Sequence, residues 1–141
     1  MSRYVVDASV AVKWFLSEPG DDKARRLLDA DHELLAPELL VAEVSNVLWK
    51  RFQRAEMSID EARAVLAGPL SVKMVWRPVA PLSESALEIA CRLGRTAYDS
   101  IYLALAVLES SILVIADERL YNAIAASPLS GSVTLLAHLA M

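Results

Sequence analysis

The sequence has one cysteine, two histidines and no long uninterrupted apolar run. A single cysteine forms neither an intrachain disulfide nor a thiolate metal site, and Cys91, His32 and His138 are too few to predict a zinc centre. The longest apolar run spans 101–108, far short of the ~18 residues that indicate a membrane helix. No apolar segment with a cleavage site opens the chain. We therefore expect a soluble protein of the reducing cytoplasm without a membrane partner, in which any metal is bound by oxygen.

Basic residues are also fewer than acidic residues. The chain has 14 Lys and Arg against 18 Asp and Glu, which gives a net charge of −4 at pH 7. Diffuse, non-specific affinity for nucleic acid normally needs a basic surface. Net charge therefore does not predict a nucleic-acid-binding protein.

Apolar residues, in contrast, are abundant. They make up 55% of the chain, and the mean hydropathy is +0.37. This fraction exceeds that of an ordinary globular domain, so many elements must be buried on more than one face. At 141 residues one core suffices. We expect a single domain over 1–141 with a layered α/β fold.

Short β-branched runs alternate with helical patterns along the chain. Strands are predicted near 3–6, 32–36, 72–76, 112–116 and 133–136, and helices over 8–16, 23–30, 37–55, 59–68, 81–94, 98–108 and 118–126. The fourth helix is expected to end at Gly68-Pro69, because this pair breaks helices. Such alternation favours a parallel sheet with right-handed crossovers.

Two of the predicted strands run directly into a carboxylate. Asp7 follows the run from Tyr4 to Val6, and Asp117 follows the run from Ile112 to Ala116. Asp is a good N-cap for a following helix, so capping alone would explain either residue. The carboxyl edge of a parallel sheet is also where ligands bind, and two such strands can be neighbours where the strand order reverses.

Two further acidic residues lie on predicted helices. Glu43, Asn46 and Lys50 share one stripe of the third helix, which fits either a solvated polar face or a site. Asp99 opens a helix that is apolar on all sides beyond its first turn. A carboxylate there needs backbone donors, a cation or a raised pKa.

A cluster of these carboxylates would favour a hard divalent cation. Their mutual repulsion costs several kcal/mol at ~4 Å and intermediate dielectric, and a cation removes that cost. Oxygen ligands without thiolate or imidazole select Mg²⁺, with Mn²⁺ possible, and Mg²⁺ bridges to substrate phosphate. The chemistry that uses such a site is phosphodiester hydrolysis.

Four motifs in this order resemble the PIN domain, and more narrowly the VapC-type ribonuclease toxins of bacterial and archaeal toxin–antitoxin pairs. They are VVDAS at 5–9, EVSNVL at 43–48, YDSIYLA at 98–104 and ADERL at 116–120. The resemblance covers nearly the whole chain. It implies a three-layer α/β/α sandwich with a central, mainly parallel sheet of four to five strands. It also implies a metal-dependent endoribonuclease.

The resemblance assigns roles by position. Asp7, Glu43, Asp99 and Asp117 correspond to the acidic metal-binding and catalytic quartet of the family. Ser9 corresponds to the hydroxyl that supports the first Asp, and Asn46 to the polar residue one turn after the Glu. If all four carboxylates are ionised they account for the whole net charge, so the rest of the chain is neutral. Among the basic residues, Lys13 and Arg95 lie nearest the motifs and are expected to contact substrate phosphate.

The resemblance also implies partners: an RNA substrate, a cognate VapB-like antitoxin that occludes the acidic site, and a second copy in a homodimer built from helices. The apolar residues Trp14, Phe15, Trp49 and Phe52 are expected at these interfaces, although they fit a core equally well. One alternative is a catalytically inactive PIN-like module that binds RNA or protein. Another is an aspartyl-phosphate fold, which the sequence disfavours because no second Asp stands two residues after Asp7.

Overall fold

Strands and helices alternate along the computed structural model, which describes residues 2–29 and 31–140. The strands are β1 Ser2–Val6, β2 His32–Pro37, β3 Val75–Arg77, β4 Ile112–Ile115 and β5 Val133–Leu135. The helices are α1 Ala8–Ala11, α2 Asp21–Asp29, α3 Leu39–Gln53, α4 Ile59–Ser71, α5 Ser83–Leu93, α6 Ala97–Leu108 and α7 Glu118–Ala125. Within these residues, no helix has both the length and the apolar character needed to cross a membrane.

The five strands form one sheet in the order β3-β2-β1-β4-β5, and all four pairings are parallel. Val5 of β1 is in register with Leu35 of β2 on one side and with Leu113 of β4 on the other. The strand order reverses between β1 and β4. The expected three-layer α/β/α sandwich with a parallel sheet is confirmed, and β1 and β4 are neighbours at the switch point.

The core lies on the central strands and on α6. Val5, Val6, Val114 and Ile115 are fully buried because helices cover both faces of a parallel sheet. Every side chain from Ser100 to Ala106 is also buried, and α6 contacts β1, β2 and β4. Burying one such aliphatic side chain contributes about 1.5–3 kcal/mol. The first turn of α6, which carries Asp99, is therefore held rigidly against the sheet.

The predicted end of the fourth helix at Gly68-Pro69 is wrong, because α4 continues to Ser71. Pro69 is buried within the last turn of this helix. Gly68 lies against the ring of Phe15, where an added Cβ would come within 2.5 Å of the ring carbons. The glycine at position 68 therefore gives the Phe15 ring room to pack, and the pair Gly68-Pro69 does not end the helix.

Trp14 is not available to a partner. Its side chain is only 3% exposed, and its indole N–H donates a hydrogen bond to the carbonyl oxygen of Ala24 at 3.1 Å. The expectation that Trp14 serves an interface is therefore wrong. Phe15, Trp49 and Phe52, in contrast, keep more than a third of their surface exposed.

Candidate active site

Asp7 leaves the sheet at the carboxyl end of β1 and caps α1. Its Oδ1 accepts a hydrogen bond from the Val10 backbone N–H at 3.3 Å and another from the Ser9 hydroxyl at 2.5 Å. Asp7 therefore is a helix N-cap, and this role does not exclude a second role as a metal ligand. Because both bonds fall on Oδ1, the second carboxylate oxygen is the one free to face a cation.

Ser9 connects the two strands at the switch point. Its hydroxyl donates to Asp7 and accepts a hydrogen bond from the backbone N–H of Ala116 at 3.0 Å. Ala116 directly follows β4. One side chain therefore fixes the orientation of Asp7 relative to the end of the neighbouring strand, which fits the supporting role predicted for Ser9.

Glu43 lies on α3, half-buried, with a partner on α6. The hydroxyl of Tyr102 donates a hydrogen bond to Glu43 Oε1 at 2.5 Å, and the Tyr102 side chain is only 3% exposed. Burial of Glu43 and this bond argue against a purely solvated polar face. Sequence reasoning gave Tyr102 no role, although its position three residues after Asp99 places both on one side of α6.

Asp99 lies in the first turn of α6 and is 31% exposed at its side chain. Thr96 caps this helix by accepting a hydrogen bond from the Asp99 backbone N–H at 3.1 Å. One turn earlier, Arg95 places Nη2 3.6 Å from Asp99 Oδ2. Among the described residues, the buried Nε of Arg95 has no hydrogen-bond partner. Arg95 thus carries unused donors beside one of the predicted site carboxylates.

The charges of three carboxylates interact. Burial is the main cause that raises the pKa of Asp7 to about 7, and the charges of Glu43 and Asp99 raise it further against the hydrogen bonds from Ser9 and Val10. The pKa of Glu43 is also raised, first by burial and then by Asp99, against the hydrogen bond from Tyr102. Glu43 bonds to Tyr102 one turn from Asp99 and shares a cavity with Ala8, the residue after Asp7, so the three side chains lie near one another at the carboxyl edge of the sheet.

Asp117 is placed differently from these three. It is exposed, and its Oδ1 caps α7 by accepting hydrogen bonds from the backbone N–H groups of Arg119 at 2.9 Å and Leu120 at 3.3 Å. Its charge does not contribute to the raised pKa values of Asp7 and Glu43. Asp117 lies at the neighbouring strand end, as predicted, but the structure does not bring it into the group of three.

The donor set fits a hydrated hard cation rather than a closed cage. Across residues 2–29 and 31–140, no three His, Cys, Asp or Glu side chains converge tightly enough to form a ready-made metal cage. Mg²⁺ does not need one, because it keeps several waters and is bound through one or two carboxylates together with substrate phosphate. The carboxylate oxygens of Asp7, Glu43 and Asp99 meet that requirement.

Beside these carboxylates lies a cavity of about 420 Å³. Its wall combines polar and apolar groups from α1, α3 and α6: Ala8, Leu39, Ala42, Glu43, Asn46, Val47, Lys50 and Tyr98. The stripe of Glu43, Asn46 and Lys50 thus faces a single cleft. The structure brings Asn46 to the site, as predicted from its spacing to Glu43.

Lys13 forms its hydrogen bonds with residues outside the predicted site. Its Nζ donates to the carbonyl oxygen of Pro19 at 2.8 Å and pairs with Glu18 at 3.3 Å. Glu18 also forms a short ion pair with Arg51. Of the two basic residues predicted to contact substrate, the structure brings only Arg95 into contact with one of the three carboxylates.

Comparison with known families decides the classification. A family model described as the PIN domain matches residues 4–125. The chain belongs to the PIN-domain family. The motif-based assignment is thereby confirmed for most of the chain.

Curated relatives narrow the assignment to the VapC type. Ribonuclease VapC9 of Mycobacterium tuberculosis is 35% identical over 116 residues, which cover 82% of this chain and 87% of the relative. Ribonuclease VapC3 of Pyrobaculum aerophilum is 29% identical over 126 residues, which cover 84% of this chain and 92% of the relative.

Solved structures share the fold. PAE2754 from Pyrobaculum aerophilum superposes with a TM-score of 0.71 at 25% identity, covering 96% of this chain and 85% of that one. VapC20 of Mycobacterium tuberculosis, a toxin that cleaves the sarcin-ricin loop, superposes with a TM-score of 0.69 at 20% identity, covering 85% of this chain and 94% of that one. The fold of VapC toxins is therefore the fold of this chain.

Proposed function

We propose that this protein is a metal-dependent endoribonuclease that hydrolyses RNA phosphodiester bonds and acts as the toxin of a VapBC-like pair. The observation that carries the proposal is the placement of three carboxylates near one another at the switch point of the sheet: Glu43 bonds to Tyr102 one turn from Asp99, and it shares a cavity with Ala8, the residue after Asp7. The ribonuclease relatives and the PIN-domain match support the same chemistry.

In this proposal the three carboxylates hold Mg²⁺ or Mn²⁺, and Asp117, the fourth member of the predicted quartet, caps α7 at the end of the neighbouring strand β4. The bound cation would supply electrostatic stabilisation of the phosphoryl group and a lowered pKa for water. Ser9 fixes the rotamer of Asp7, and Tyr102 fixes that of Glu43. Arg95, which lies 3.6 Å from Asp99, would contact substrate phosphate through its guanidinium group.

Activity assays with two metals and a chelator test the proposal. Purified protein should cleave single-stranded or structured RNA in Mg²⁺ or Mn²⁺, stop in EDTA and recover when the metal is restored. Asp7→Asn and Asp99→Asn should abolish cleavage. Asp29→Asn is the matched control, because it removes a carboxylate from the exposed end of α2. Cleavage that persists in both site variants would refute the proposed site.

The inactive binding module is the alternative from another class. It predicts that RNA is bound equally well by the native chain and by Asp7→Asn, and that neither cleaves it in any metal. The aspartyl-phosphate alternative predicts acyl phosphate on Asp7 after incubation with a phosphate donor. Both outcomes are read from the same purified proteins.

A groove between α3 and α4 supports the partner part of the proposal. It encloses about 280 Å³ and is almost entirely apolar, with Ser45, Leu48, Trp49, Phe52, Ile59, Ala62, Arg63 and Leu66 around it. Amphipathic helices bind such grooves. A VapBC2 complex from Rickettsia felis has this fold, with a TM-score of 0.67 at 15% identity. We propose that a VapB-like antitoxin places a helix here and that the toxin forms a homodimer in the cytoplasm.

Co-expression with a small DNA-binding protein encoded beside this chain tests the partner. The antitoxin should co-purify with the native chain and suppress its nuclease activity. Trp49→Ala should weaken that complex, and Tyr121→Ala, at a half-buried aromatic outside the groove, should not. If Trp49→Ala does not weaken the complex, the antitoxin binds another surface of the protein. Light scattering of the isolated chain reports the dimer.

A further inference from the structure

Tyr98 is the exposed aromatic residue that lines the same cavity as Glu43. It is 61% exposed, although it directly precedes Asp99 and lies in the first turn of α6, whose residues from Ser100 to Ala106 are buried. Among the described residues, aromatic pairs join Tyr4 with His32, Trp14 with Phe15 and Tyr121 with His138. Tyr98 belongs to none of these pairs, so no other aromatic ring of the described residues stacks on it.

The cavity around Tyr98 has a polar and an apolar component. Glu43, Asn46 and Lys50 line it along one face of α3, and Leu39 and Val47 add apolar surface. Seven residues separate Glu43 from Lys50, which corresponds to about 10 Å along a helix. Lys50 therefore lies too far along the cleft to share the phosphate at the carboxylates, but it is placed for the phosphate of a neighbouring nucleotide.

From these positions we propose that Tyr98 is a nucleobase-stacking subsite for single-stranded RNA, holding a base next to the bond that is cleaved. The inference rests on the proposed ribonuclease function. A phenol ring stacks on any base, and such contacts contribute about 1–3 kcal/mol per base. A duplex keeps its bases stacked internally, so this subsite selects unpaired or splayed-out bases. The residue acts in substrate positioning and takes no part in bond cleavage.

Fluorescence of 2-aminopurine, placed in a short single-stranded RNA, reports stacking directly. The RNA is titrated with the full chain carrying Asp7→Asn, which prevents cleavage, in the presence of Mn²⁺. Binding should quench the fluorescence. Adding Tyr98→Ala should remove the quenching and weaken binding about 5- to 100-fold, whereas Tyr98→Phe should retain both.

Two controls separate stacking from general damage. Trp49→Ala removes another exposed aromatic, but from the α3–α4 groove, and should leave the quenching unchanged. An RNA that lacks the base at the stacking position should bind equally well with and without Tyr98→Ala. Quenching that survives in Tyr98→Ala, or an equal loss with the abasic RNA, would overturn the subsite.

Cleavage kinetics distinguish failure of this inference from failure of the function. In the otherwise native chain, Tyr98→Ala should raise KM several-fold with kcat little changed. If the native chain cleaves RNA and Tyr98→Ala has the same KM, the subsite is wrong and the ribonuclease stands. If Tyr98→Ala weakens only the antitoxin complex, the ring serves a protein partner and the RNA inference is wrong. A native chain that fails to cleave would remove the function on which the subsite depends.

Discussion

Two groups of acidic side chains near the sheet differ in how far basic side chains compensate their charge. Near the starts of β1 and β2, Arg3 binds Glu33 at 3.1 Å and Glu109 at 3.3 Å, while Arg77 binds Glu109 at 2.7 Å. These arginines, Arg77 first, hold the pKa of Glu109 below its usual range. At the carboxyl edge, the ion pair that the described residues form with the three site carboxylates is that of Arg95 with Asp99, at 3.6 Å.

The difference separates a stabilising network from a binding site. The Arg3, Arg77 and Glu109 group is already neutralised by the protein itself, so it has no use for a cation. In the group of Asp7, Glu43 and Asp99, burial first and the neighbouring negative charges second raise the pKa values of Asp7 and Glu43. Such an excess of negative charge favours a functional site over a structural one.

Loss of catalysis should be the largest effect that distinguishes the two groups. Asp7→Asn should lower RNA cleavage at least about 100-fold, because it removes a charged cation ligand while keeping the size of the side chain. Glu109→Gln, the same kind of change in the paired group, should leave the rate within about twofold. Initial rates on one labelled RNA at saturating Mn²⁺ measure both. A similar loss of cleavage rate in Asp7→Asn and Glu109→Gln would contradict the distinction between a binding site and a stabilising network.

Tyr102→Phe should have the next largest effect. It removes the donor that orients Glu43 but keeps the buried ring. Groups that orient metal ligands typically change metal affinity 10- to 100-fold, so we expect Mn²⁺ binding at the weaker end of that range, about 10-fold looser. Calorimetric titration of Mn²⁺ without RNA measures it. Tyr121→Phe, a phenol outside the site, is the control, and unchanged Mn²⁺ affinity in Tyr102→Phe would contradict the orienting role.

The pH dependence of stability should differ between the groups in sign. The pKa of Asp7 is about 7 in the folded protein and near 3.9 in an unfolded chain, so between these values the folded state binds more protons. The free energy of unfolding of the metal-free protein should therefore fall as pH rises from about 4 to 7, by roughly 1–3 kcal/mol. Glu109, whose pKa is lowered, contributes in the opposite direction, with stability that is lost as pH falls.

Urea unfolding in EDTA at pH 5.5 and pH 8 measures this dependence. Asp7→Asn should reduce the loss of stability at pH 8, and Mn²⁺ should restore stability to the native chain by binding the folded state alone. If Asp7→Asn left the pH dependence unchanged, the raised pKa of Asp7 would not be a property of the protein in solution.

Disruption of the paired group should have the smallest effect. Glu109→Gln should lower the free energy of unfolding by no more than about 1 kcal/mol, because ion pairs that remain partly exposed contribute little. Urea unfolding at pH 7 in low salt measures the loss, which should shrink in high salt as screening increases. A loss of several kcal/mol would mean that this network, rather than the apolar core, fixes the sheet.

Local sequence patterns were sufficient to predict the elements in which burial and hydrophobic periodicity agree. The run at Val5-Val6 and the apolar stretch after Asp99 could be interpreted from sequence because each is buried on more than one side, and both positions are confirmed as β1 and α6. The pairing of β1 with β4 also followed, since the crossover rules leave few arrangements.

Long-range contacts set what local patterns missed. The α4 helix continues through Pro69, and Gly68 in the same turn packs against Phe15, which lies more than 50 positions away in the sequence. Lys13 has local partners instead, Glu18 and Pro19 in the loop five and six positions further on, and its contact with substrate phosphate stays a prediction. Neither partner choice is encoded in the spacing of residues along one helix.

The sequence by itself determined the layered parallel fold, the family and the order in which four acidic residues follow strands or open helices. Only the tertiary structure decided that Asp7, Glu43 and Asp99 share a charge environment while Asp117 is exposed and caps α7. It also paired Tyr102 with Glu43 and left Tyr98 exposed beside them. The physical reason is that periodicity fixes which face of an element is buried, whereas electrostatic coupling depends on distances between elements that only packing sets.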